Sequence, residues 1–262
     1  MTEYALFSWT VLLPVKVLAR AKSRLAVLAG DRRRELALAL AADTVAAVLA
    51  CPAVARVVVV TSDPVAGPLL AALGAVVVPD EPAGLDGPAW PGTSGTSGTS
   101  GDSGTSGDSG DSGDSGDLGP QDMLNAALRH GAVVASRRWP GTGFAALTAD
   151  LPALRPAELA TALRAAVPAG TAGAAAGRAV FVPDAAGIGT TLYAVPPGGD
   201  FLPLFGGASR ARHAASGAAE IDLDDIAGLR RDVDTPEDLQ AVLALGAGPR
   251  TTALAGELFA DA

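Results

Sequence analysis

Short apolar segments alternate along this chain with longer segments in which apolar residues recur at about every third or fourth position. The short segments are leucine-rich or β-branched runs, which are typical of strands buried on both faces of a sheet. They predict strands over residues 9–13, 57–60, 75–78, 145–148, 180–182 and from the glycine turn at 187–189 to residue 195. The helical spacing predicts helices over residues 32–49, 65–73, 121–134 and 157–166, another that opens near residue 209, and a last one that starts at residue 236. This alternation predicts an α/β fold with a mostly parallel sheet and helices on both faces.

Two of the predicted helices begin with capping signals. Asp31 precedes the helix over 32–49 as a candidate N-cap, since its carboxylate can accept hydrogen bonds from the free N–H groups of the first turn. Thr235 is the candidate N-cap of the last helix, with Pro236 in the first helical position and Asp238 placed to complement the helix dipole.

A low-complexity tract at residues 92–117 interrupts the alternation of strands and helices. Thr-Ser-Gly and Asp-Ser-Gly tripeptides repeat from Thr93 to Gly116. Such a segment cannot bury apolar surface, so its composition predicts a disordered loop. Because strand and helix patterns resume after the tract, we expect a single domain over residues 1–262 with the tract as an insertion.

The composition narrows the class of protein. Hydrophobic residues make up 49% of the 262 residues and aromatic residues only 4%, which favours an aliphatic core between helices and sheet. The net charge is −9, and aspartates of the tract contribute more than half of it, so no nucleic-acid partner is expected. Cys51 is the only cysteine, which excludes an internal disulfide and a multi-cysteine metal site. Neither a membrane-spanning apolar stretch nor a signal peptide is recognisable, so we expect a soluble cytoplasmic protein without a membrane partner.

The segment after the first strand is unusually basic. Lys16 and Lys22 are the only lysines of the chain, and with Arg20 and Arg24 they place four positive charges within nine residues. A lysine is a compact point charge suited to phosphate, and α/β proteins place anionic ligands at the ends of their strands. The segment predicts an anion-binding loop, and a solvated basic turn is the alternative.

Two aspartates are candidate ligands of Mg²⁺. Asp150 ends a predicted buried strand and lies too far before Pro156 to cap the next helix directly. Asp234 is the natural second carboxylate. Mg²⁺ commonly uses one or two protein carboxylates together with substrate phosphates. The alternatives are a capping role for Asp150 and a local turn acceptor for Asp234.

Two glycine-rich turns are candidates for contact with a ligand, the first because its backbone is free to approach one. The first, residues 187–191, has the sequence Gly-Ile-Gly-Thr-Thr and adds two hydroxyl groups. The second, residues 205–213, opens a predicted helix whose free N–H groups can bind phosphate or carboxylate, and its side chains add further donors: Ser209, Arg210 and Arg212. Together with the basic loop and Asp150, the two turns outline a site for a polyanion and a metal ion.

In this combination the chain resembles the CofC-type guanylyltransferases of coenzyme F-420 biosynthesis, which use 2-phospho-L-lactate or phosphoenolpyruvate. The resemblance runs over about residues 9–245 without the tract. It rests on short motifs in a fixed order: Leu13-Pro14-Val15-Lys16, Ala21-Lys22-Ser23-Arg24-Leu25, Val60-Thr61-Ser62-Asp63, Leu124-Asn125-Ala126-Ala127, Ala149-Asp150-Leu151-Pro152, Gly189-Thr190-Thr191, Phe205-Gly206-Gly207-Ala208-Ser209 with His213, and Asp232-Val233-Asp234-Thr235-Pro236-Glu237-Asp238-Leu239.

The resemblance implies a Rossmann-like nucleotidyltransferase fold and a role for each motif. Lys16 and Asp150 would be the catalytic residues, and Asp150 with Asp234 would hold Mg²⁺ as the cofactor. The phosphorylated three-carbon acid would bind to Thr191, Gly206 and Ser209. The nucleotide would be held by residues of the basic loop and of two later motifs: Pro14, Lys16, Lys22, Arg24, Ser62 and Asn125.

The implied activity is a nucleotidyl transfer of the EC 2.7.7 class, in which GMP passes from GTP to the acid and pyrophosphate is released. The attacking phosphate is already an anion, so positioning and charge neutralisation suffice, and His213 is expected only to orient the turn at Ser209. The chain departs from the family pattern twice. Many members have Gly-Thr-Asn in place of Gly189-Thr190-Thr191, and the tract has no counterpart.

Two alternatives stay open on the sequence alone. One is another nucleotidyltransferase, of the molybdenum-cofactor or sugar-phosphate type, although those typically open with a glycine-rich loop and no glycine precedes Gly30 here. The other is a non-catalytic nucleotide-binding module, which would bind GTP without releasing pyrophosphate. The sequence does not separate phosphoenolpyruvate from 2-phospho-L-lactate, and it leaves the oligomeric state open, with a homodimer as one candidate.

Overall fold

The computed structural model describes residues 8–18, 22–80, 119–167 and 177–260, and a seven-stranded sheet forms the centre of this part of the chain. Its strands are β1 (Trp9–Pro14), β2 (Val54–Val60), β3 (Val76–Val78), β4 (Gly143–Leu147), β5 (Val180–Pro183), β6 (Thr190–Val195) and β7 (Ala219–Glu220). They lie in the order β3-β2-β1-β4-β6-β5-β7. Among these strands β6 alone is antiparallel to its neighbours, and all other pairs are parallel. The expected mostly parallel α/β sheet is confirmed.

Nine α-helices accompany the sheet within the described residues. They are α1 (Ala26–Ala29), α2 (Arg33–Leu49), α3 (Ala66–Ala72), α4 (Pro120–Arg138), α5 (Pro156–Ala165), α6 (Ser209–Ala215), α7 (Ala227–Arg230), α8 (Pro236–Leu245) and α9 (Pro249–Ala260). Short 3-10 turns, Ser23–Leu25 and Gly30–Arg32, flank α1. None of the helices described is long and apolar enough to cross a membrane.

Helices cover both faces of the sheet, because successive side chains of a strand point to opposite faces. In β1, Val11 and Leu13 belong to a core formed with α2 and α5, whereas Leu12 belongs to a core formed with α4. Helix α4 lies so close to the strands that a Cβ atom on Gly131 would come within 2.7 Å of Val60 and 2.9 Å of Leu12. A glycine at this position therefore permits the close contact between α4 and the sheet.

Helix α2 is rich in alanine and leucine along most of its surface because it packs against the sheet on one side and against α8 and α9 on another. Part of the helix packs on the sheet, and its Leu36 and Leu40 pack in a separate core with α8 and α9. On the same helix, the buried Asp43 carboxylate accepts a hydrogen bond of 2.7 Å from the Thr251 N–H in the first turn of α9. Asp43 thus provides a hydrogen-bond acceptor for an N–H group in the first turn of α9, which has no acceptor within the helix. This helix begins about 200 residues later in the sequence.

The capping prediction for α8 is confirmed. The Thr235 hydroxyl accepts from the Asp238 N–H at 3.2 Å, the Asp238 carboxylate accepts from the Thr235 N–H at 3.0 Å, and Pro236 opens the helix. The prediction for Asp31 is wrong, because this residue lies inside the Gly30–Arg32 turn and gives no side-chain cap to α2.

Other differences concern elements with weak local signals. The helix predicted to be the last one, α8, is followed by α9, and α1, β7 and α7 were not predicted. The tract at residues 92–117, predicted to be a disordered insertion, lies outside the described residues, as does Arg20 of the basic loop.

Candidate active site

The candidate active site lies at the carboxyl ends of the parallel strands. β1 and β4 are parallel neighbours, so the segments that follow Pro14 and Leu147 emerge side by side. The antiparallel β6 begins at the same edge, where the Thr148 N–H donates to the Thr191 carbonyl at 3.0 Å. Ligands of open α/β sheets bind at this edge. The fold therefore brings the basic loop after β1 and Asp150 together, as the sequence predicted.

A cavity of about 370 Å³ opens between these two loops. Its lining includes six of the residues predicted for the site: Pro14, Lys16, Lys22, Arg24, Asp150 and Asp234. Two further lining residues, Leu124 and Thr148, neighbour predicted site residues in the chain or the sheet. The other predicted residues are described by the structure but do not line this cavity: Ser62, Asn125, Thr191, Gly206 and Ser209.

Lys22 joins the two aspartates that were predicted to hold the metal ion. Its ammonium donates one hydrogen bond to Oδ2 of Asp150 and another, of 2.9 Å, to Oδ1 of Asp234. The Lys22 side chain is only 13% exposed, whereas the Asp234 side chain is 54% exposed. Lys16, the lysine that the sequence singled out as catalytic, lines the same cavity as an exposed residue. The two lysines of the chain therefore occupy different environments in one site.

The charges of the cavity keep Lys22 and Asp234 ionised. Burial disfavours the ammonium, but the Asp150 and Asp234 carboxylates outweigh this effect and raise the pKa of Lys22. Burial also opposes the charge of Asp234, but its pKa is lowered by nearby cations, which are Lys22, Arg24 and Lys16. The site therefore presents a fully charged ion pair at neutral pH.

Asp232 lies two residues before Asp234 and shows the opposite behaviour. Burial, together with the negative charges of Asp150, Asp234 and Asp184, raises the pKa of Asp232 to about 7. Asp232 therefore retains a proton on part of the molecules near neutral pH, which reduces the negative charge around the carboxylate pair.

The carboxylate pair fits a Mg²⁺ ion. Oδ1 of Asp150 is buried and has no hydrogen-bond partner among the described residues, so this carboxylate has an oxygen left for a ligand. The described part of the chain has no cluster of three or more side chains that could hold a metal ion. Two carboxylates are sufficient for Mg²⁺, which takes its remaining ligands from water and substrate phosphates.

Thr148 is a second residue of the cavity with an unsatisfied polar atom. Its hydroxyl oxygen is buried, and no described group bonds to it. An unsatisfied buried hydroxyl carries a desolvation penalty of about 1–3 kcal/mol, so its position in this cavity indicates a ligand contact. Sequence reasoning did not single out Thr148, because a threonine at a strand end has no distinctive pattern.

Asp184 shapes the first glycine turn. Its carboxylate accepts hydrogen bonds from the N–H groups of Ile188 and Gly189, at 2.9 and 2.7 Å. A Cβ atom on Gly189 would lie 2.4 Å from this carboxylate, so the contact requires glycine. Thr191 is fully buried, and its hydroxyl is 3.5 Å from the Val182 carbonyl. The backbone of this turn, which was predicted to be free to approach a ligand, thus donates two of its N–H groups to Asp184 in this structure.

Asn125 and Arg212 hold the second glycine turn. The Asn125 amide bonds to the backbone of Phe205, and the Arg212 guanidinium donates to the carbonyl groups of Phe205 and Gly206. Gly206 has a φ of 98°, in the left-handed region that favours glycine. Ser209, at the start of α6, is buried. The turn assigned to the acid is therefore fixed from two helices.

His213 lies beneath the same turn and supports it. Nε2 accepts from the Leu204 N–H at 2.9 Å, and Nδ1 is 3.0 Å from the Thr190 hydroxyl. The ring is fully buried and stacks on Tyr193, with 4.7 Å between ring centroids. Burial, and then the charge of Arg212, lower the pKa of His213 to about 4. His213 is therefore neutral near pH 7, and its contacts agree with the expectation that it orients the turn.

Asp63 links the end of β2 to the basic loop. Its Oδ2 accepts from the Leu18 N–H at 2.8 Å, and its Oδ1 accepts from two N–H groups next to the start of α3, at 2.9 and 2.8 Å. Burial would raise the pKa of Asp63, but these backbone donors lower it. Ser62 beside it is exposed and bonds to Asp80. The sequence predicted that the loop containing Asp63 can cap the next helix, but the contact of Asp63 with the basic loop was not foreseen.

The chain is similar over nearly its whole length to proteins named phosphoenolpyruvate guanylyltransferase. It is 52% identical over 251 residues to the protein of Thermomonospora curvata, with 96% of this chain and 90% of the relative covered. It is 51% identical over 252 residues to the protein of Streptomyces avermitilis, with 96% and 95% covered. No family model matches the chain.

Solved structures share the fold at much lower identity. A protein of Desulfovibrio desulfuricans G20, described as a nucleotide-diphospho-sugar transferase, has a TM-score of 0.61 at 16% identity, and 96% of this chain and 95% of the other are covered. A nucleotidyl transferase of Methanothermobacter thermautotrophicus has a TM-score of 0.50 at 19% identity, with 91% and 97% covered. These likenesses show the fold, which is the expected nucleotidyltransferase fold. The much higher identity to the relatives from Thermomonospora and Streptomyces shows that this chain belongs to the phosphoenolpyruvate guanylyltransferase family of nucleotidyltransferases.

Proposed function

We propose that this protein transfers GMP from GTP to phosphoenolpyruvate, with release of pyrophosphate, in coenzyme F-420 biosynthesis. The observation that carries the proposal is the cavity in which Lys22 bridges Asp150 and Asp234. It combines exposed cations for phosphate groups with a carboxylate pair for a metal ion. Relatives at 51–52% identity are named phosphoenolpyruvate guanylyltransferase, which supports phosphoenolpyruvate as the acid, and 2-phospho-L-lactate is the alternative.

In the proposed reaction, an oxygen of the acid's phosphate attacks the α-phosphorus of GTP. A new P–O bond forms while the bond between the α-phosphorus and the oxygen that bridges to the β-phosphate breaks. Pyrophosphate leaves with that electron pair. The attacking oxygen is already anionic, so no general base is needed. A cavity whose described lining contains no histidine is consistent with this chemistry.

The cofactor proposed is Mg²⁺, since nucleotidyltransferases generally use a divalent metal ion. When bound, the ion would supply charge neutralisation on the triphosphate. Asp150 and Asp234 would hold it, and Asp150 is the catalytic carboxylate of this proposal. Its unpartnered Oδ1 and the ionised state of Asp234 support the assignment.

Lys16 and the other residues predicted to hold the nucleotide would bind and orient its phosphates. An ammonium about 4 Å from a phosphate charge contributes about 4 kcal/mol at an effective dielectric constant near 20, before desolvation is counted. Lys16 is catalytic in this proposal through the part of this attraction that strengthens in the transition state, and it transfers no proton. Arg24 and Pro14 line the cavity beside it, and Ser62 lies at the end of the neighbouring β2.

The acid is proposed to bind at Thr191, Gly206 and Ser209. Thr191 neighbours Thr148 of the cavity through a backbone hydrogen bond of 3.0 Å, which supports a place for the acid next to the nucleotide. Thr191 and Ser209, the two residues of this set that carry a hydroxyl group, are buried. The proposal therefore requires a local shift of the turns when the acid binds.

We also infer a cytoplasmic location, where GTP and phosphoenolpyruvate are made. The inference of one domain over residues 1–262, with 92–117 as an insertion, is supported by the sheet. β3 precedes the tract and β4 follows it, and both belong to the same seven strands.

The test is the release of pyrophosphate from GTP and Mg²⁺ with phosphoenolpyruvate, with 2-phospho-L-lactate, or without an acid. We expect phosphoenolpyruvate to give the highest rate. Asp150→Asn should abolish the metal-dependent rate, because asparagine keeps the size but loses the charge that a hard cation requires. Asp31→Asn is the matched control, since Asp31 is exposed and does not line the cavity. Binding of GTP without release in the presence of either acid would identify a binding module and overturn the proposal.

A further inference from the structure

The ammonium of Lys22 bonds to both of the carboxylates that the proposed function assigns to the metal ion, those of Asp150 and Asp234. An ion held by both of these carboxylates would lie close to this ammonium, which is also bonded to both of them. Two like charges at such a distance repel strongly in a partly buried site. In this structure the cation between the two carboxylates is the Lys22 ammonium.

The backbone of Lys22 indicates that its position is built into the fold. Its φ and ψ are 53° and 45°, and it is the only non-glycine residue with a positive φ in the described part of the chain. Side chains other than glycine rarely adopt this left-handed region, and such a conformation persists only where the surroundings determine it. The carbonyl of Lys22 also accepts from the Leu25 N–H at 3.0 Å, which closes the Ser23–Leu25 turn.

Lys22 does not satisfy the carboxylate pair completely. It bonds to Oδ2 of Asp150, and Oδ1 of the same group stays buried without a partner among the described residues. An ammonium carries one charge, whereas a divalent ion carries two and coordinates both carboxylates. The lysine is therefore a weaker occupant than the ion for which the carboxylates are suited.

The cavity also offers a destination for a displaced ammonium. Lys16 and Arg24 line it, so a bound triphosphate would be placed within reach of the basic loop that carries Lys22. A lysine ammonium on a flexible stem can exchange a carboxylate for a phosphate oxygen while it stays protonated.

We propose that the Lys22 ammonium and the divalent ion are alternative occupants of the Asp150–Asp234 pair, so that the ion enters the site together with the nucleotide. Without nucleotide, the lysine holds the carboxylates and keeps the ion out. With nucleotide, the ammonium moves to the phosphates and the ion replaces it. Lys22 is then a positioning residue that couples the binding of the two ligands. This inference rests on the proposed function for the identity of the metal site.

The first experiment measures Mn²⁺ binding by electron paramagnetic resonance, with Mn²⁺ as the probe and without nucleotide. We expect K22M to bind Mn²⁺ about tenfold more tightly than the wild type, because no ammonium competes for the carboxylates. K16M is the matched control: it removes one positive charge from the same cavity but leaves the Lys22 contacts intact, so its affinity should change much less. K22M/D150N should lose the gain. An α,β-methylene analogue of GTP should raise the Mn²⁺ affinity of the wild type more than that of K22M.

The second experiment uses the wild-type protein and does not depend on the folding of a variant. Labelling with ¹⁵N-lysine gives two side-chain signals, one for each lysine of the chain, and K16R assigns them. Mg²⁺ alone should leave the Lys22 ammonium signal in place, and Mg²⁺ with the GTP analogue should shift it.

The outcomes separate this inference from the proposed function. Unchanged or weaker Mn²⁺ binding by folded K22M, or a Lys22 signal that stays in place in the ternary complex, overturns the exchange even if the wild type releases pyrophosphate. Loss of that release with intact exchange overturns the proposed activity alone.

Discussion

The side-chain amide of Asn125 is hydrogen-bonded at both ends to the backbone of Phe205. Its Nδ2 donates to the carbonyl at 3.1 Å, and its Oδ1 accepts from the N–H at 2.8 Å. Nδ2 also donates to the Gln121 carbonyl at 2.9 Å. The amide therefore ties α4 to the second glycine turn, which is the turn proposed for the acid. The sequence assigned Asn125 to the nucleotide, so the two roles make different predictions.

Asn125→Asp should weaken the binding of phosphoenolpyruvate more than that of GTP. The carboxylate keeps an acceptor for the Phe205 N–H, but its second oxygen would face the carbonyl groups that Nδ2 now binds. Loss of a buried hydrogen bond of this kind costs about 1–3 kcal/mol, so the KM for phosphoenolpyruvate should rise roughly tenfold. Initial rates with each substrate varied in turn measure this. A rise in the KM for GTP alone would support the nucleotide role instead.

The location of the site could be predicted from the sequence because each part of it had a local signal. An apolar run followed by Lys16 and Arg24, and another followed by Asp150, mark two strand ends. Parallel strands bring such ends to one edge of a sheet, and β1 and β4 are direct neighbours here. The local sequence around each of these residues was therefore enough to place it at the end of a strand, and so at this edge of the sheet.

Contacts between distant segments could not be predicted in this way. The Thr44 hydroxyl of α2 accepts from the Leu151 N–H at 2.9 Å, and so holds the loop directly after Asp150. A threonine inside a helix has no sequence signal for such a role. The sequence also could not show which of Lys16 and Lys22 forms the ion pair. That depends on the left-handed backbone at Lys22 and on the contact between the loop after β1 and the loop after β4.

Thr148→Val should lower activity without lowering stability. Valine has nearly the shape of threonine, and the hydroxyl that it removes is buried without a partner among the described residues. Its loss should leave the free energy of unfolding unchanged or raise it by up to about 1 kcal/mol. If the hydroxyl contacts a ligand, the rate of pyrophosphate release should fall about tenfold. Urea unfolding and initial rates measure the two effects.

Thr148→Ser is the matched control for this prediction, since serine keeps the hydroxyl and loses only the methyl group. It should retain most of the activity. A valine variant that is less stable than the wild type but fully active would show that the Thr148 hydroxyl has a structural partner.

Deletion of residues 93–116 should leave folding and GMP transfer largely unchanged. The deleted residues are threonine, serine, glycine and aspartate, so they contain no large apolar side chain for a core. Shortening a flexible connection changes its closure entropy by about 1 kcal/mol or less. Urea unfolding and pyrophosphate release test the deletion, and a Gly/Ser segment of the same length controls for length. Loss of activity in both folded variants would show that the aspartates of the tract contribute to function.

His213 should make stability fall as the solution is acidified. Its pKa is lowered by burial and by the charge of Arg212 from 6.5 to about 4, so the unfolded chain binds a proton more readily than the native protein. The contribution of His213 to stability is complete above pH 6.5 and is lost as the pH falls through 4. By linkage this loss amounts to about 3 kcal/mol. Asp232 acts with the opposite sign, because its raised pKa makes stability fall as the pH rises through about 7.

A comparison of variants isolates the histidine from Asp232. We expect the free energy of unfolding, measured with urea from pH 7.5 to pH 4.5, to decrease more steeply on acidification in the wild type than in His213→Gln. Glutamine offers an acceptor to the Leu204 N–H, which Nε2 of His213 now accepts at 2.9 Å, but it cannot take up the proton. His130→Gln removes the other histidine of the chain and should behave like the wild type. Equal slopes in the wild type and His213→Gln would show that the buried imidazole does not govern the acid sensitivity of the fold.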